Sequence, residues 1–443
     1  IAWSYDLLGT TEQSVFRRLA VSVHGVTLAA AERICTAAGK LEGNVQDALD
    51  ALVDQSMLQQ RQERVGDEVR FRLLQTLREY GLERLAEAGE LESTQAAHAE
   101  YYLSWSELLA PLLSGAEQAH WLDRLDREYE NVRMALEWLL VHAQREAEQA
   151  EQALRFCLAL MGFWEIRGYA SEGLIFLERA LSVGQAVAPV VRAQALHGAG
   201  FLALIQDDNA RAEAFLRESQ LLFRESGDKA GMANILQLQG SLAMFKNTYK
   251  LARRLFDEAL TIYRELGDTR RIAAVRKALA EMAIVQGDYT RARSLMEEDL
   301  ASYKASGEKY SIAYPLFFLA RIRFLTRDDL AKAQSLVEES LDLFKEAGNR
   351  RLVAYARHLL GQILLIKDDE SRAHSMLEAS IGTFRVLKER SAVADVLITL
   401  GRLATLQGDN EAIQSSYHES WDLLRTIAAK ELSINCLEGY GEA

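Results

Sequence analysis

Histidine and cysteine are the residues best suited to hold a metal or move a proton, and their spacing decides whether they do. His24, His98, His120, His142, His197, His358, His374 and His418 are scattered, with no pair at metal-ligand separation. Cys35, Cys157 and Cys436 are far apart and odd in number, which fits free thiols in a reducing compartment rather than a disulfide frame or a metal knuckle. No HExxH, CxxC or GxSxG occurs. No GxxxxGK[ST] phosphate loop occurs either; Gly39-Lys40 stands alone, so no nucleotide site is expected within this chain. Carboxylates abound, but at helical spacing they read as solvated faces. Trp105, Trp121, Trp138 and Trp164 could stack a ligand, yet large aromatic area more often anchors long helices. The expectation is a chain without catalytic residues, metal or cofactor, whose chemistry is recognition.

The elements that would carry recognition repeat. Gly200, Gly240, Ala280, Ala320, Gly361 and Gly401 lie 40, 40, 40, 41 and 40 residues apart. Ala212, Ala252, Ala292, Ala333, Ala373 and Ala412 follow at fixed phase, and Ser219, Ala259, Asp299, Ser340, Ser380 and Ser420 close each unit. Only Asp299 is not small. In the unit from Gly231 to Asp268, Ile235, Leu238, Leu242 and Phe245 form one apolar stripe. Leu251, Leu255, Phe256, Leu260 and Tyr263 form a second, across the polar turn 246–249. Helix stops recur at Gly227-Asp228, Gly267-Asp268, Gly307-Glu308 and Gly348-Asn349. Inner turns recur at Asp207-Asp208, Gly287-Asp288, Asp328-Asp329, Asp368-Asp369 and Gly408-Asp409. Such a period predicts stacked helical hairpins: six good copies over 193–430 and a weaker one at 151–185 turning at Gly168-Tyr169. Residues 431–443 open a further helix.

Gly240, Ala252 and Ala259, and likewise Gly361, Ala373 and Ser380, match the small positions of the tetratricopeptide repeat, which the region therefore resembles. That resemblance implies a concave groove lined by the first helix of each hairpin. Carried over residue by residue, the inward-pointing second position of the repeat motif falls on Asn234, Ala274, Tyr314, Tyr355 and Asp395. The fifth falls on Gln237, Lys277, Phe317, His358 and Ile398, and the ninth on Ser241, Glu281, Arg321, Gln362 and Arg402. The candidate site is thus Asn234, Gln237, Lys277, Glu281, Tyr314, Phe317, Arg321, Tyr355, His358, Gln362 and Arg402. Aromatic faces beside cations and amides suit a small inducer, a peptide or a protein surface. Pro315 falls near its helix start, where proline is tolerated.

The first part of the chain reads differently. Helices are expected at 12–22, at 27–36 with Thr27 as cap, and at 44–55 with Asn44 as cap. Strands at 58–61 and 69–73 flank the charged turn 62–68, and a long helix covers 76–88. Three helices and a hairpin make a winged helix, whose third helix commonly enters the DNA major groove. Here that helix carries Asp47, Asp50 and Asp54 and no cation. The wing interleaves Arg61, Arg64, Arg70 and Arg72 with Glu63, Asp67 and Glu68. An acidic helix is repelled by phosphates, and so is a chain of net charge −13. Direct nucleic-acid binding by this chain is not expected.

AWSYDLL, FRRLAVSVHGVTLAAAERIC, LDALVDQSML and FRLLQTLREYGLERLAEAGE, in that order, are similar to the winged-helix segment of bacterial signal-transduction ATPases with numerous domains (STAND). HAEYYLSWSELL and WLDRLDREYENVRMALEWLL extend the likeness through Leu140. The resemblance is to the branch that carries tetratricopeptide repeats and often ends in a LuxR-type DNA-binding domain. It implies a winged helix at 1–90, a helical linker at 91–150 and a sensor solenoid at 151–443. It further implies an upstream nucleotide-binding domain that would hold ATP or ADP. Relatives contact that nucleotide through a Met-His-Asp-like motif; the matching Leu73-Leu74-Gln75 lacks the histidine and aspartate. With 443 residues, 49% hydrophobic, three prolines and no run of 18 apolar residues, the composition suits a mainly α, cytoplasmic, non-membrane protein. The start at Ile1, without methionine, reads as a piece of a longer polypeptide. The expected role is an inducer- or partner-sensing region that restrains or relays activation of the nucleotide-binding domain. The alternative is an interaction scaffold with no switch.

Overall fold

The computed structural model describes residues 1–442 apart from 63–68, 115–116, 145–146, 185–186, 307–309 and 428–429. Glu63, Arg64, Asp67 and Glu68 of the wing and the Gly307-Glu308 stop lie outside the described residues. Two compact units result: 1–111 with 123–159 and 182–187, and 112–122 with 160–181 and 188–443.

The first unit begins with α1 (Ala2–Asp6), α2 (Thr10–Leu19), β1 (Val26–Thr27), α3 (Leu28–Ala37), α4 (Val45–Asp54), β2 (Gln59–Gln62), β3 (Val69–Arg72) and α5 (Gln75–Glu87). The antiparallel sheet has the order β1-β3-β2, with Phe71 facing both Val26 and Gln60. Thr27 and Asn44 cap their helices as expected, accepting from the Ala30 and Gln46 amides at 3.2 and 2.7 Å. The first expected helix starts two residues earlier than 12 and ends at Leu19, and α1 and the two-residue β1 add to the plan. Phe16, Ile34, Leu49 and Leu52 fill the core, and Tyr5 of α1 packs against Phe16 and Tyr80.

The helices read as a linker, α6 (Leu91–Leu109) and α7 (Gln118–His142), are built into this unit by buried polar bonds. Glu128 of α7 pairs with Arg70 of β3 and accepts from the Tyr102 hydroxyl and Asn131 amide at 2.7 and 2.9 Å. Arg70 and Asn131 both donate to the Gly25 carbonyl, at 2.9 and 3.1 Å. Asn131 accepts from the Val23 amide at 2.7 Å. Every charge in this cluster is matched, as a dry interior requires. Beside it, burial pushes the His98 imidazole down to about 4. A second tie joins Glu90, ahead of α6, to Arg17 and Arg18 of α2. Burial alone would raise the Glu90 carboxyl; hydrogen bonds from the two arginines outweigh it and hold it at about 2.

In the second unit the end of α8 (Ala147–Arg167) is followed by α9 (Ala170–Val183). Six hairpins follow: α10 (Pro189–Ile205) with α11 (Asn209–Ser226), α12 (Lys229–Phe245) with α13 (Tyr249–Leu266), and α14 (Thr269–Val285) with α15 (Tyr289–Ser306). Then come α16 (Ala313–Thr326) with α17 (Leu330–Glu346), α18 (Arg350–Ile366) with α19 (Glu370–Leu387), and α20 (Arg390–Gln407) with α21 (Asn410–Ile427). Helix α22 (Lys430–Glu442) packs against the last pair. Inner turns place one residue in the left-handed region, among them Asp207, Gly287, Asp368 and Gly408. The next aspartate accepts from an amide of the following helix, as Asp208 does from Arg211 and Asp409 from Ala412, both at 3.1 Å. Such a turn ends one helix and caps the next; the turn before α13 is the exception, Thr248 making no side-chain cap bond.

Small residues set the spacing of the paired helices. A Cβ on Gly240 would lie 2.5 Å from the Phe256 ring, and one on Gly361 would lie 2.8 Å from Leu377. The closing series is also explained: Ser219, Ser380 and Ser420 are buried and donate to the carbonyls of Ala193, Ala354 and Ala394, at 2.6, 2.8 and 3.0 Å. Asp299, the exception, pairs with Arg276 at 3.0 Å. Trp164 is fully buried, stacked on Phe176, in line with the packing reading of that residue.

In an open helix, glycine to alanine stabilises by about 1 kcal/mol. Gly240→Ala should instead destabilise by about 1–3 kcal/mol, because the added methyl overpacks against Phe256. Gly382→Ala, with nothing within 4 Å of the new Cβ, should stabilise. Thermal unfolding of the two variants followed by circular dichroism checks the opposite signs.

Candidate functional site

The first helices α10, α12, α14, α16, α18 and α20, with α22, wall a cavity of about 920 Å³ in the second unit. The inward phase places Lys277, Glu281, Tyr314, Phe317, Arg321, Tyr355, His358, Gln362 and Arg402 on its lining, together with Asp395 and Ile398. Asn234 and Gln237 are not on it. The Tyr263 hydroxyl donates to Asn234 Oδ1 at 2.6 Å and stands 3.4 Å from Gln237 Oε1, so these two amides serve packing within their own hairpin. Phe317 is half-buried, lining the cavity while its ring meets Phe318 and Phe344. Pro315 is the third residue of α16, where its missing N–H breaks no helical bond.

Around these residues the polar groups are organised. Lys277 Nζ sits 4.6 Å above the Tyr314 ring, and the Arg351 guanidinium 5.3 Å above that of Tyr355. Glu389 accepts from Arg351 Nε at 2.7 Å and from the Tyr355 hydroxyl at 3.0 Å. Burial, the largest influence, pushes the Tyr355 phenol well up, so it remains a donor. His358 is buried, with Nε2 2.9 Å from Thr399 Oγ1 and Nδ1 3.7 Å from Asp395. Thr399 donates in turn to the Asp395 carbonyl at 3.2 Å. Burial lowers the His358 pKa, Arg321 adds to the effect and Asp395 opposes it.

The cavity is closed by contacts between residues more than 180 positions apart. Asp207, in the turn after α10, accepts from both the amide and the hydroxyl of Ser391 in α20, each at 2.9 Å. Arg167 donates to the Gly348 carbonyl at 2.9 Å. Gly168, at φ +82°, lies so close to Leu387 that a Cβ would stand 1.9 Å from it. Sequence reasoning missed this seam and the Arg351–Glu389 pair. One signal was available: the outer turn Lys388-Glu389 replaces the Gly-Asp or Gly-Asn of its counterparts. Asp228, Asp268 and Asn349 cap their helices, whereas Glu389 makes no cap bond and turns to Arg351 and Tyr355.

On the winged helix, Asp47, Asp50 and Asp54 of α4 are all exposed. Of the wing arginines, Arg61 is exposed, Arg72 is half-buried, and Arg70 is buried against Glu128. Leu73 is buried, Leu74 is exposed and Gln75 opens α5. Among the described residues no helix is long and apolar enough to cross a membrane.

Fold and site define a winged helix and a tetratricopeptide-like helical solenoid, the arrangement that the STAND resemblance implies. Residues 8–86 match the family model "Winged helix-turn-helix domain". The chain is 32% identical over 254 residues to "Putative HTH-type transcriptional regulator Rv0890c" of Mycobacterium tuberculosis, covering 54% of this chain and 27% of that protein. The match thus spans about a quarter of the relative's length. Among solved structures, the Rap conjugation gene regulator of plasmid pLS20, in complex with the Phr* peptide, aligns with TM-score 0.53 and 11% identity over 75% of this chain and 97% of that one. A STAND protein with a tetratricopeptide repeat sensor from Pyrococcus horikoshii aligns with TM-score 0.45 and 14% identity over 98% of this chain and 66% of that one.

The buried His358 gives the repeat unit a pH dependence of known sign. Its pKa is lowered on folding, so the unfolded chain takes up the proton first and stability falls as pH drops below about 6.5. Between pH 7.5 and 5.5 the wild type should lose more stability than His358→Gln. Denaturant titrations at several pH values check this.

Proposed function

We propose that this chain is the sensing and relay region of a STAND-type signalling ATPase acting in transcription control. The carrying observation is the concave cavity of the repeat unit, lined by side chains from successive hairpins and bridged across by the Asp207–Ser391 bonds. An inducer in that cavity touches several hairpins at once, so its binding energy depends on how they are stacked. A ligand with different affinity for two stackings shifts their populations by that difference. The peptide in the Rap complex supports a peptide-like occupant, and the mycobacterial relatives' names support a role in transcription.

In this reading the winged helix is a relay and not the DNA reader. The exposed carboxylates of α4 disfavour phosphate contact, and the buried Glu128–Arg70 cluster couples wing to linker helices rigidly enough to transmit a displacement. ATP or ADP belongs to a nucleotide-binding domain outside this chain. The three cysteines, all free and buried, accord with work in the cytoplasm.

Native mass spectrometry of the protein purified from its own host tests the reading. A bound mass should accompany the wild type and be lost from a Tyr314→Ala, Arg321→Ala double variant with unchanged circular dichroism. The same mass on both proteins would contradict it.

A further inference from the structure

Helix α22 follows six hairpins and keeps the phase of their first helices. Gly441 lies forty residues after Gly401, the last of the small series. Asn435 and Glu442 lie forty residues after Asp395 and Arg402, and like them line the cavity. The helix packs on α20 and α21 just as α20 packs on α18 and α19. Its inner face is therefore that of the first helix of a seventh hairpin, and the stacking surface of the six hairpins continues onto it.

Its outer face is not covered as theirs is. Gly200, Gly240, Ala280, Ala320, Gly361 and Gly401 are all buried, whereas Gly441 is exposed. A Cβ on Gly401 would stand 2.6 Å from the Tyr417 ring; one on Gly441 would meet nothing within 4 Å. Four residues before the small position stand Leu196, Leu236, Leu316 and Leu397, every one of them buried. Leu437 holds that position in α22 and is 56% exposed. Ile434 and Tyr440, three residues to either side, share its face and are 55% and 43% exposed. In a complete hairpin the second helix covers this face: Leu236 of α12 is clustered with Phe256, Ala259, Leu260 and Tyr263 of α13. Single exposed apolar residues are unremarkable, but three on one helix face beside an unfilled glycine mark a contact surface.

The six hairpins show what fits such a face. Ala212, Leu216 and Ser219 of α11 set a small residue, a large one four positions on and a small one three further. Ala252, Phe256 and Ala259 of α13 repeat the pattern, as do Ala373, Leu377 and Ser380 of α19. The large residue fills the space over the glycine. The second helices α11, α13, α15, α17, α19 and α21 are each already packed on their own first helix. A second copy of this chain therefore has none to offer, and the occupant is a helix from another protein.

We propose that the outer face of α22 docks an amphipathic helix of a partner protein that carries this small–large–small pattern. The partner helix lies antiparallel along Ile434, Leu437 and Tyr440, as second helices lie on first ones, with its large residue seated over Gly441. The surface is separate from the cavity lining, so the proposal is independent of what the cavity holds.

The test uses the sequence of α13, Tyr249–Leu266, as a fluorescein-labelled peptide that stands in for the partner helix, with fluorescence anisotropy on the whole chain. It should bind about ten-fold or more tighter than the same peptide with Phe256→Ser, which loses the large residue. Leu437→Ser in the chain should weaken the unaltered peptide by about ten-fold, and Gly441→Leu, which fills the slot, should weaken it as well. Leu437 is more than half exposed and Gly441 has open space around it, so both variants should keep the circular dichroism of the wild type. Analytical ultracentrifugation of the chain alone should give a monomer, or an oligomer that Leu437→Ser leaves intact. No measurable binding, equal affinity for the two peptides, or full affinity in the Leu437→Ser chain overturns the proposal. So does a dimer that Leu437→Ser dissociates, because a second copy then covers the face.

Discussion

Two helices of a hairpin can approach closely only where one of them carries almost no side chain. In this protein that requirement recurs every forty residues. Gly200, Gly240, Gly361 and Gly401 each meet a large residue sixteen positions on: Leu216, Phe256, Leu377 and Tyr417. The large residue fills the space the small one leaves. Because the same exchange is made in each hairpin, successive hairpins stack with a similar turn, and curvature accumulates. The cavity depends on that accumulated curvature, since its walls come from α10 to α22 and its seam joins residues 184 positions apart.

Closure changes what the repeat unit can do. An open solenoid offers one concave surface to many partners. One whose ends are bridged touches its occupant from several sides and partly shields the polar contacts it makes. The departures from the repeat cluster where closure occurs. Lys388-Glu389 loses the stop-and-cap chemistry of its counterparts, and Glu389 instead holds Arg351 and Tyr355 on the cavity wall. Asp207 keeps the left-handed turn geometry but uses its carboxylate on Ser391. In the other unit, Glu128 organises a buried cluster that makes linker helices and winged helix one body.

Much of this was legible in the chain because it is local or periodic. Glycine–aspartate turns, the Thr27 and Asn44 caps and the alternation around the wing report on residues a few positions away. The inward phase of the first helices put Tyr314, Arg321 and His358 on one face, and they share the cavity lining, since helical spacing fixes which side chains share a face. Asn234 and Gln237 lie off the cavity lining because the phase says nothing of what lies opposite, and there the Tyr263 hydroxyl donates to Asn234 and sits beside Gln237. The Arg70–Glu128 pair and the Asp207–Ser391 bonds join distant positions that no periodicity relates. Phe245 was read as part of an apolar stripe; its exposure is a property of the folded unit. The strand β1, two residues long, is too short to show a pattern.

Closure of the repeat unit is the claim on which cavity, occupant and switch all rest. Cysteines at the seam, Asp207→Cys with Ser391→Cys, measure it directly, because Cys35, Cys157 and Cys436 are buried and do not compete. Mild oxidation should convert the double variant almost completely to an intramolecular disulfide without loss of helical signal, while the single variants stay reduced. A double variant that remains reduced under the same conditions would show that the hairpins do not close and would contradict the account.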